Sequence, residues 1–572
     1  MPVMRAWDGT QWVTLPAAPA DPGTANIAAN VSVVPAGNIS STNVQAALQE
    51  LDTEKSKLNG DAAQSFVASN LQNFVTTIAA LKTVDKTKTS QAVVLGYSAV
   101  GDGGGGDYRY DSTDTTSADN GGTIIVANDG GRWKLINTRG VTIKHFGAKG
   151  DGSTDDSTAF NNAATFCAAN FIELLFPPGV YRVPNATTRS GRCLWRGIGQ
   201  VRLVGNIVYQ DLTFGPSADI NSGYSSTAPF FSSKFINYES IAATYALRIT
   251  CNDSGSFQDT GEVFNASFYG AYGIQAQNCI SLNLRDCWFY NTSVGVLAQA
   301  GINWTIENCR FRNCAEVGFS VADFGTSRRG GENMRFIGCE WATCSVAVKL
   351  FRCLWASFEN CLMDYCGLPL WLVGSQYVKL TKTYLGADLR ASTQSTLGYI
   401  APPSTGTAVF AEGYIAGAIR EASGITAIEC EFVNYMNGSP QPIVYLTGFD
   451  AGTPSNRLVD SASIISCKFI HGGTSHAAQY LLYIDHAQQV QIIAPQFISY
   501  NLSSTLVGPF FLDTVDFYNS FSVDTYLLRE GGIEKPSQYP EKTYIPGVGQ
   551  RSIGVGPPNS AGAGYRQLLV PN

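Results

Sequence analysis

The stretch Leu284–Phe311, LRDCWFYNTSVGVLAQAGINWTIENCRF, carries one four-residue phrase twice, DCWF at 286–289 and NCRF at 308–311. The phrase returns as GCEW at 338–341, NCLM at 360–363, ECEF at 429–432 and SCKF at 466–469. Its cysteines are Cys287, Cys309, Cys339, Cys361, Cys430 and Cys467, and the second and fourth each follow their predecessor at the same short interval. NASF, around Ala266, fits one period before Cys287. A period near 22 filled with β-branched and aromatic residues is the signature of a solenoid. Each cysteine and the large apolar residue two places on (Phe289, Phe311, Trp341, Met363, Phe432, Phe469) lie on one face of a strand, because side chains alternate along it. Three residues before the cysteine come Leu284, Ile306, Phe336 and Phe358, so stacked coils would align each position into an internal column.

The same spacing bears on the 14 cysteines. Cys309/Cys314, Cys339/Cys344 and Cys361/Cys366 repeat an interval of five, whereas zinc sites pair cysteines two to four residues apart. The interval recurs once per coil, as columns require and a single metal site does not. The expectation is small buried hydrophobes, with no metal and no cofactor.

Outward from this repeat, the 572 residues are too many for one compact core. Charged residues make up only 15%, against 58 glycines and 11% aromatics, a composition suited to a turn-rich β body. From about 190 to 500 there is room for ~12 coils at ~4.8 Å each, a rod of roughly 60 Å. A net charge of −7 argues against nucleic acid, whose binding rests on Lys and Arg neutralising phosphates. No run approaches ~20 apolar residues, so no membrane insertion is expected. MPVMRAWDGT lacks a basic start followed by an apolar run, which predicts synthesis and folding in a cytosol.

The first 90 residues read differently. MRAWDGTQWVTL predicts a short hairpin turning at Asp8-Gly9, followed by a Pro/Ala-rich linker. Val44, Leu48, Leu51 and Leu58 then form the seam of an amphipathic helix, capped at Ser41 or Thr42 and stable chiefly if copies bundle. The Gly-rich run at 101–106 lacks the Gly-Lys-Ser/Thr of a phosphate loop and reads as a flexible turn. In VTIKHFGAKGDGSTDDSTAFNNAATFCAANFIELLFPPGVYRV, 141–183, a strand ends at Phe146 and Ser153 with Asp156 suggests a capping box. A helix follows with Phe160, Ala163 and Cys167 on one face, then a strand over 171–176 and a Pro-Pro-Gly turn. Such a unit would cover the end of a stacked β-structure. GDGSTDD is not an EF-hand loop, because the position that needs Glu is Asn162.

The wording FGAKGDGSTDD…AF…LLFPPGVYRV closely resembles the opening of pectate-lyase-like β-helix proteins, phage tailspikes among them. The seam helix and the phrase KLNGDA resemble repeats of phage tail fibres, and IGVGPPNSAGAGYRQLLVPN resembles the closing segment of phage depolymerase spikes. The resemblance implies an all-β, right-handed parallel β-helix, homotrimeric, with Asn308 and Asn360 stacking their amides at a bend. It also implies a virion location, an N-terminus docked to a phage tail or baseplate protein, and action on bacterial surface polysaccharide. The expected organisation is 1–90 virion attachment and trimeric helix, 91–185 neck and helix-capped opening, 186–510 β-helix with the substrate groove, and 511–572 C-terminal trimer contact.

Glycoside cleavage needs a pair of carboxyl groups. Glu340 and Asp364 fall on adjacent coils, one and three residues after their cysteines, a diagonal of ~7–8 Å between backbones that suits the ~6.5–9.5 Å spacing of inverting hydrolases. The coil from Cys309 to Cys339 is longer than its neighbours, and the extra material holds Asp323, Arg328, Arg329 and Glu332. An insertion of this kind builds a binding wall, and its arginines suit a sugar carboxylate. Asp323 and Glu332 are therefore further catalytic candidates, Arg328 and Arg329 binding candidates, and Trp355 and Tyr399, with Trp371 and Tyr414, candidates for stacking on sugar rings. Glu316, Asp388, Glu412 and Glu421 compete for the acid roles. No HExxH motif is present, and His471, His476 and His486 read as surface residues. Hydrolysis is preferred to lyase chemistry. A non-catalytic receptor-binding spike and a secreted bacterial lyase-like enzyme remain the alternatives.

Overall fold

The structure is a computed structural model that describes residues 5–7, 10–14, 32, 40–57, 73–136, 140–170, 172–189, 194–211, 233–236, 239–251, 258–322, 330–388, 409–412, 423–435, 442–447, 461–472, 480–485 and 490–499, and the strands 508–514, 521–524, 527–530, 533–535, 542–544 and 551–555. Tyr399, Tyr414, Asp323, Arg328, Arg329, Glu421, His476, His486, Leu58 and the KLNGDA and IGVGPPNSAGAGYRQLLVPN phrases lie wholly or largely outside the described residues.

The body is a parallel β-helix. A first sheet of 15 strands runs from Val141–Thr142 to Lys542–Tyr544, and only its last pairing, of Phe521–Asp524 with Lys542–Tyr544, is antiparallel. Eleven of its strands, from Leu194–Gly197 to Val490–Ile493, fall in the span expected to hold the coils. Each first-sheet strand is followed by one or two strands of a second, wrapped sheet, as Gly301–Glu307 is by Arg310–Arg312 and Val317–Ala322. Parallel connections of this kind turn right-handed because strands twist that way.

One backbone device sets the bend between the two sheets. Asn265, Asp286, Asn308, Gly338, Asn360, Lys382, Glu429 and Ser466 all adopt positive φ, between 48° and 60°. Asn, Asp and Gly reach this left-handed region at least cost, and each N–H there is taken by the next coil, as Asn308 donates to Ile337 at 2.9 Å. The cysteine that follows points inward. Its thiol donates to a carbonyl of the preceding coil: Cys309 to Leu284, Cys339 to Ile306 and Cys361 to Phe336, at 3.3–3.5 Å. A second bend, with Asn313, Thr343 and Tyr365 at positive φ, precedes Cys314, Cys344 and Cys366. The five-residue interval thus marks two bends per coil and two columns of thiols. The twelve cysteines whose side chains are described are all buried and outside any disulfide, and loss of water pushes the Cys309 and Cys314 thiols well above their usual pKa.

Beside the thiols run aromatic columns. Phe268, Phe289, Phe311 and Trp341 stack face to face with ring centroids 5.1, 4.6 and 5.2 Å apart. Phe336 and Phe358 stack at 4.5 Å, and Phe432, Phe469 and Phe497 at 5.3 and 5.0 Å. Gly295 faces the column because a Cβ there would lie 2.8 Å from Phe311 Cδ1 and 2.4 Å from the Gly318 carbonyl oxygen. The thiols and rings belong to one continuous buried cluster from Val141 to Phe497.

The helix Ser157–Asn170 caps this core, burying Phe160, Ala163 and Cys167, with Phe160 edge-on to Trp195 at 5.2 Å. The capping box expected at Ser153 and Asp156 does not form. Asp151 captures the N–H groups of Ser153 and Thr154 and holds them in the strand Asp151–Asp155, so the helix starts later, at Ser157. Ahead of it, the strands Asn73–Val75, Gln91–Val94, Gly106–Tyr110, Ile124–Val126 and Arg132–Leu135 make a separate five-stranded sheet around Tyr108, Ile125 and Trp133. Asn73–Val75 pairs with Gln91–Val94, so this sheet crosses the expected boundary at residue 90. The Gly-rich turn is pinned rather than flexible: desolvation opposes ionisation of Asp102, but N–H donors from Tyr97, Ser98, Ala99 and Gly104 hold its carboxyl below the usual range.

Near the N-terminus, the expected hairpin forms between Arg5–Trp7 and Trp12–Thr14. The helix Val44–Lys57 is capped by Asn43, whose Oδ1 accepts from Ala46 N at 2.8 Å; Ser40 and Ser41 instead bind the Glu50 carboxylate. Leu48 and Leu51 on its seam are 58% and 46% exposed.

Candidate functional site

Because coils stack in register, outward positions of the second sheet form rows across successive strands. One row reads Trp288, Arg310, Glu340, Leu362, Tyr384, Glu431 and Lys468. A parallel row two residues on reads Tyr290, Arg312, Ala342 and Asp364. Glu340 pairs with Leu362 and Ala342 with Asp364, so Glu340 and Asp364 stand one strand apart and two residues along.

Glu340 is held by the coil before it. Arg310 Nε lies 3.4 Å from its Oε2, and Arg312 forms a short ion pair with Oε1. Arg310 in turn lies over the Trp288 ring, 4.7 Å from its centroid. Asp364 sits at the other end of the diagonal. Its Oδ1 accepts from Tyr365 N at 2.9 Å, and a Cβ on Gly386 would come within 3.0 Å of that oxygen. The glycine thus leaves the carboxylate room beside the next coil.

Beyond Asp364, the Tyr384 and Tyr435 hydroxyls are 2.9 Å apart. Burial, the Tyr435 hydroxyl and the negative charge of Asp364 together push the Tyr384 phenol well above its usual pKa, so it keeps its proton. Glu431, on the following coil, pairs with Lys468. The second sheet therefore presents aromatic, cationic, acidic and phenolic groups in sequence over adjoining coils, an arrangement able to grip a chain of polar rings and to transfer protons to it.

The other candidates fall elsewhere. Glu332 lies in the first sheet, in register with Ile302 and Leu354, and is not brought to Glu340 and Asp364. Trp355 is on that first sheet too, half exposed. Trp371 lies on the strand Leu368–Val373 with Lys349 Nζ 3.9 Å from its ring centroid. Glu316 is exposed at a bend, whereas Asp388 is buried. Glu412 ends the strand Val409–Glu412, its side chain outside the described residues. His471 is not a surface residue: it closes the strand Lys468–His471 pointing inward, 1% exposed.

Sequence reasoning missed Arg310, Arg312, Tyr384 and Tyr435. Arg310 and Glu340 each follow a phrase cysteine, so register alone already paired them. Tyr384 escaped because Thr383 replaces the cysteine of its coil, one period after Cys361, with Tyr384 N–H donating to Cys361 O at 3.0 Å.

Three segments are similar to known families. Residues 74–138 match the phage tail protein small four-stranded beta-sheet domain, 140–240 the rhamnogalacturonase A/epimerase, pectate lyase-like family, and 272–391 the right handed beta helix region. The Mu-like prophage FluMu defective tail fiber protein of Haemophilus influenzae is 35% identical over 86 residues, 15% of this chain and only 14% of that protein. Among solved structures, tailspike protein 2 of Escherichia coli O157:H7 bacteriophage CAB120 is 13% identical with a TM-score of 0.45, over 84% of this chain and 57% of that one. The gp42 tailspike of Acinetobacter phage vb_AbaP_AS12 is 14% identical with a TM-score of 0.46, over 84% and 79%. In chain order, the matched segments coincide with the small five-stranded sheet, the helix-capped opening and the central coils, whose family description carries the right-handed winding expected from the sequence.

Proposed function

We propose that this chain is the subunit of a homotrimeric tailspike that docks to a phage tail or baseplate through its N-terminal region and depolymerises a bacterial surface polysaccharide by glycosidic hydrolysis. The observation that carries the reading is the diagonal pair Glu340 and Asp364 on the exposed second sheet, flanked by Arg310, Arg312, Tyr384 and Tyr435. The match to a phage tail domain at 74–138 and the similarity to a tail fibre protein support the virion location; the pectate-lyase-like opening supports a polysaccharide substrate. The exposed Leu48 and Leu51 seam supports assembly of copies.

In this mechanism Glu340, paired with two guanidiniums as a carboxylate, takes a proton from the attacking water. Asp364, ionised in the free protein and protonated once the polymer covers it, gives that proton to the leaving glycosidic oxygen as water bonds to the anomeric carbon, and regains one from Glu340 through solvent. Trp288 and Tyr290 form a floor for the sugars on one side, and the Tyr384–Tyr435 pair donates to sugar oxygens on the other.

The test is incubation of the purified protein with bacterial surface polysaccharides while reducing ends are counted. Hydrolysis raises reducing ends without ultraviolet absorbance from unsaturated sugars. Unchanged chain length would leave a receptor-binding spike, the non-enzymatic alternative. A lyase is favoured by one feature, the guanidiniums of Arg310 and Arg312 beside the site, which suit a uronate carboxylate; absorbance by the products would decide for it. Glu340→Gln and Asp364→Asn should each lower turnover by about 10²–10⁴-fold with assembly intact, and near-normal turnover in either discards the pair. Light scattering showing a stable monomer would overturn the trimer.

A further inference from the structure

Along the first sheet, one position per coil leaves strand geometry. Ser281, Asn303, Asn333, Trp355 and Tyr377 succeed each other there with φ of 56°, 57°, 53°, 54° and 59°, and Gly424 takes 68° on the next coil. The backbone bonds of this column ask nothing of the side chains: Trp355 N–H donates to Gln376 O at 2.9 Å and Tyr377 N–H to Ser423 O at 2.7 Å. Asn and Gly suit left-handed φ, and Asn333 extends an amide ladder by donating to Asn303 Oδ1 at 2.8 Å. Bulky aromatic residues at positive φ are outliers, and such strain concentrates at functional sites.

Folding recovers little from these two rings. Trp355 and Tyr377 are 49% and 53% exposed, stacked with centroids 5.9 Å apart and planes 16° from parallel. Gly424 makes room for them, since a Cβ there would lie 2.7 Å from Tyr377 Cδ1. Half of two aromatic side chains of about 150–250 Å² each is roughly 200 Å², far short of the ~800 Å² per partner of a stable protein interface. Among the described residues, an amide precedes the rings in their column and a glycine follows, so the apolar area does not extend along it. A narrow ligand fits, one that presents an apolar ring face to the aromatics and hydroxyls to the neighbouring Asn333 amide and Glu332.

We propose that Trp355 and Tyr377 form a shelf on which pyranose rings of the polysaccharide stack, on a different sheet from the carboxylate pair. The inference rests on the polysaccharide reading above. The shelf retains a long chain while another stretch of it occupies the second sheet, and so contributes affinity for polymer rather than bond cleavage.

The experiment uses the full chain carrying Glu340→Gln and Asp364→Asn, so that polymer survives, titrated with purified capsular polysaccharide and O-antigen preparations by calorimetry. Adding Trp355→Asn and Tyr377→Asn should raise Kd for the polymer that binds at least tenfold. The melting temperature should hold or rise, because Asn suits the backbone better. Trp355→Phe, which keeps a ring, should retain most of the affinity. A Kd within twofold of the parent after both Asn substitutions overturns the shelf and leaves the polysaccharide reading standing. A parent chain that binds none of the preparations overturns both.

Discussion

Phe311→Ala tests the packing on which every surface row depends. Phe311 is fully buried, stacked 4.6 Å from Phe289 and 5.2 Å from Trp341, and edge-on to Phe319 at 6.4 Å. Truncating a buried Phe costs about 3–5 kcal/mol, set by how far the surroundings collapse. Collapse is restricted here, because the coils above and below are fixed by continuous strand pairing and the facing position, Gly295, has no side chain to move in. Each lost stacking partner adds about 0.5–1.5 kcal/mol, which places the expected loss at or above the top of that range, about 5 kcal/mol. Guanidinium unfolding followed by circular dichroism reads it as a lower midpoint at unchanged slope. Phe74→Ala, at a position 63% exposed in the small sheet, serves as the control, with an expected change within about 0.5 kcal/mol. A loss below about 2 kcal/mol for Phe311→Ala would mean that the rings do not form a load-sharing column, and the row assignments on the surface would fall with it.

Asn308→Ala places a Cβ-bearing residue without a polar side chain at φ 51° and should cost about 1–2 kcal/mol, while Asn308→Gly should be nearly neutral; equal effects would show that the backbone does not set the cost. The thiols of Cys309, Cys339 and Cys361 should resist an aromatic disulfide reagent in the folded protein and react on unfolding, and rapid labelling of any of them when native would contradict the buried column. Glu50 should titrate at about 2, lowered by its bonds to the Ser41 and Ser40 hydroxyls and the Ser40 N–H. Since the folded pKa lies below the ordinary 4.5, the bond's contribution to holding residues 40–41 on the helix is complete above that value, falls below it, and is gone once the pH passes about 2. A carboxyl carbon resonance of Glu50 moving with a midpoint near 4.5 would refute the bond.

The coils were legible because two demands repeat at one spacing: a residue tolerant of positive φ at the bend, and a small apolar side chain just inside it. Asn308, Gly338 and Asn360 announce the first, and Cys309, Cys339 and Cys361 the second. The diagonal of Glu340 and Asp364 followed from the same spacing. The coil at Thr383 was hidden because a hydroxyl replaces the thiol while making the same kind of local bond, to Thr381 O at 3.1 Å. Ser153 misled because a nearer carboxylate, Asp151, competes for the N–H groups that a helix cap would use. Glu332 was a candidate as part of the extra material between Cys309 and Cys339, yet it belongs to a first-sheet strand in register with its neighbours, on another sheet from Glu340. His471 carries no periodic mark of its own; only its place two residues after Phe469, on the inward side, indicated burial.

The left-handed bend also decouples the length of each excursion from the order of the ladder. The step from Cys361 to Thr383 is one ordinary period, whereas the step from Thr383 to Cys430 is more than twice as long. The next step, from Cys430 to Cys467, is again well over a period, yet Leu385, Phe432 and Phe469 pair in unbroken register. Closing a longer loop grows costlier only logarithmically, by about 0.6 kcal/mol for each doubling. A sizeable foreign segment could therefore be grafted between two coils, near the row that carries Glu340 and Glu431, without re-threading the spine, so the ladder tolerates exchange of whole excursions.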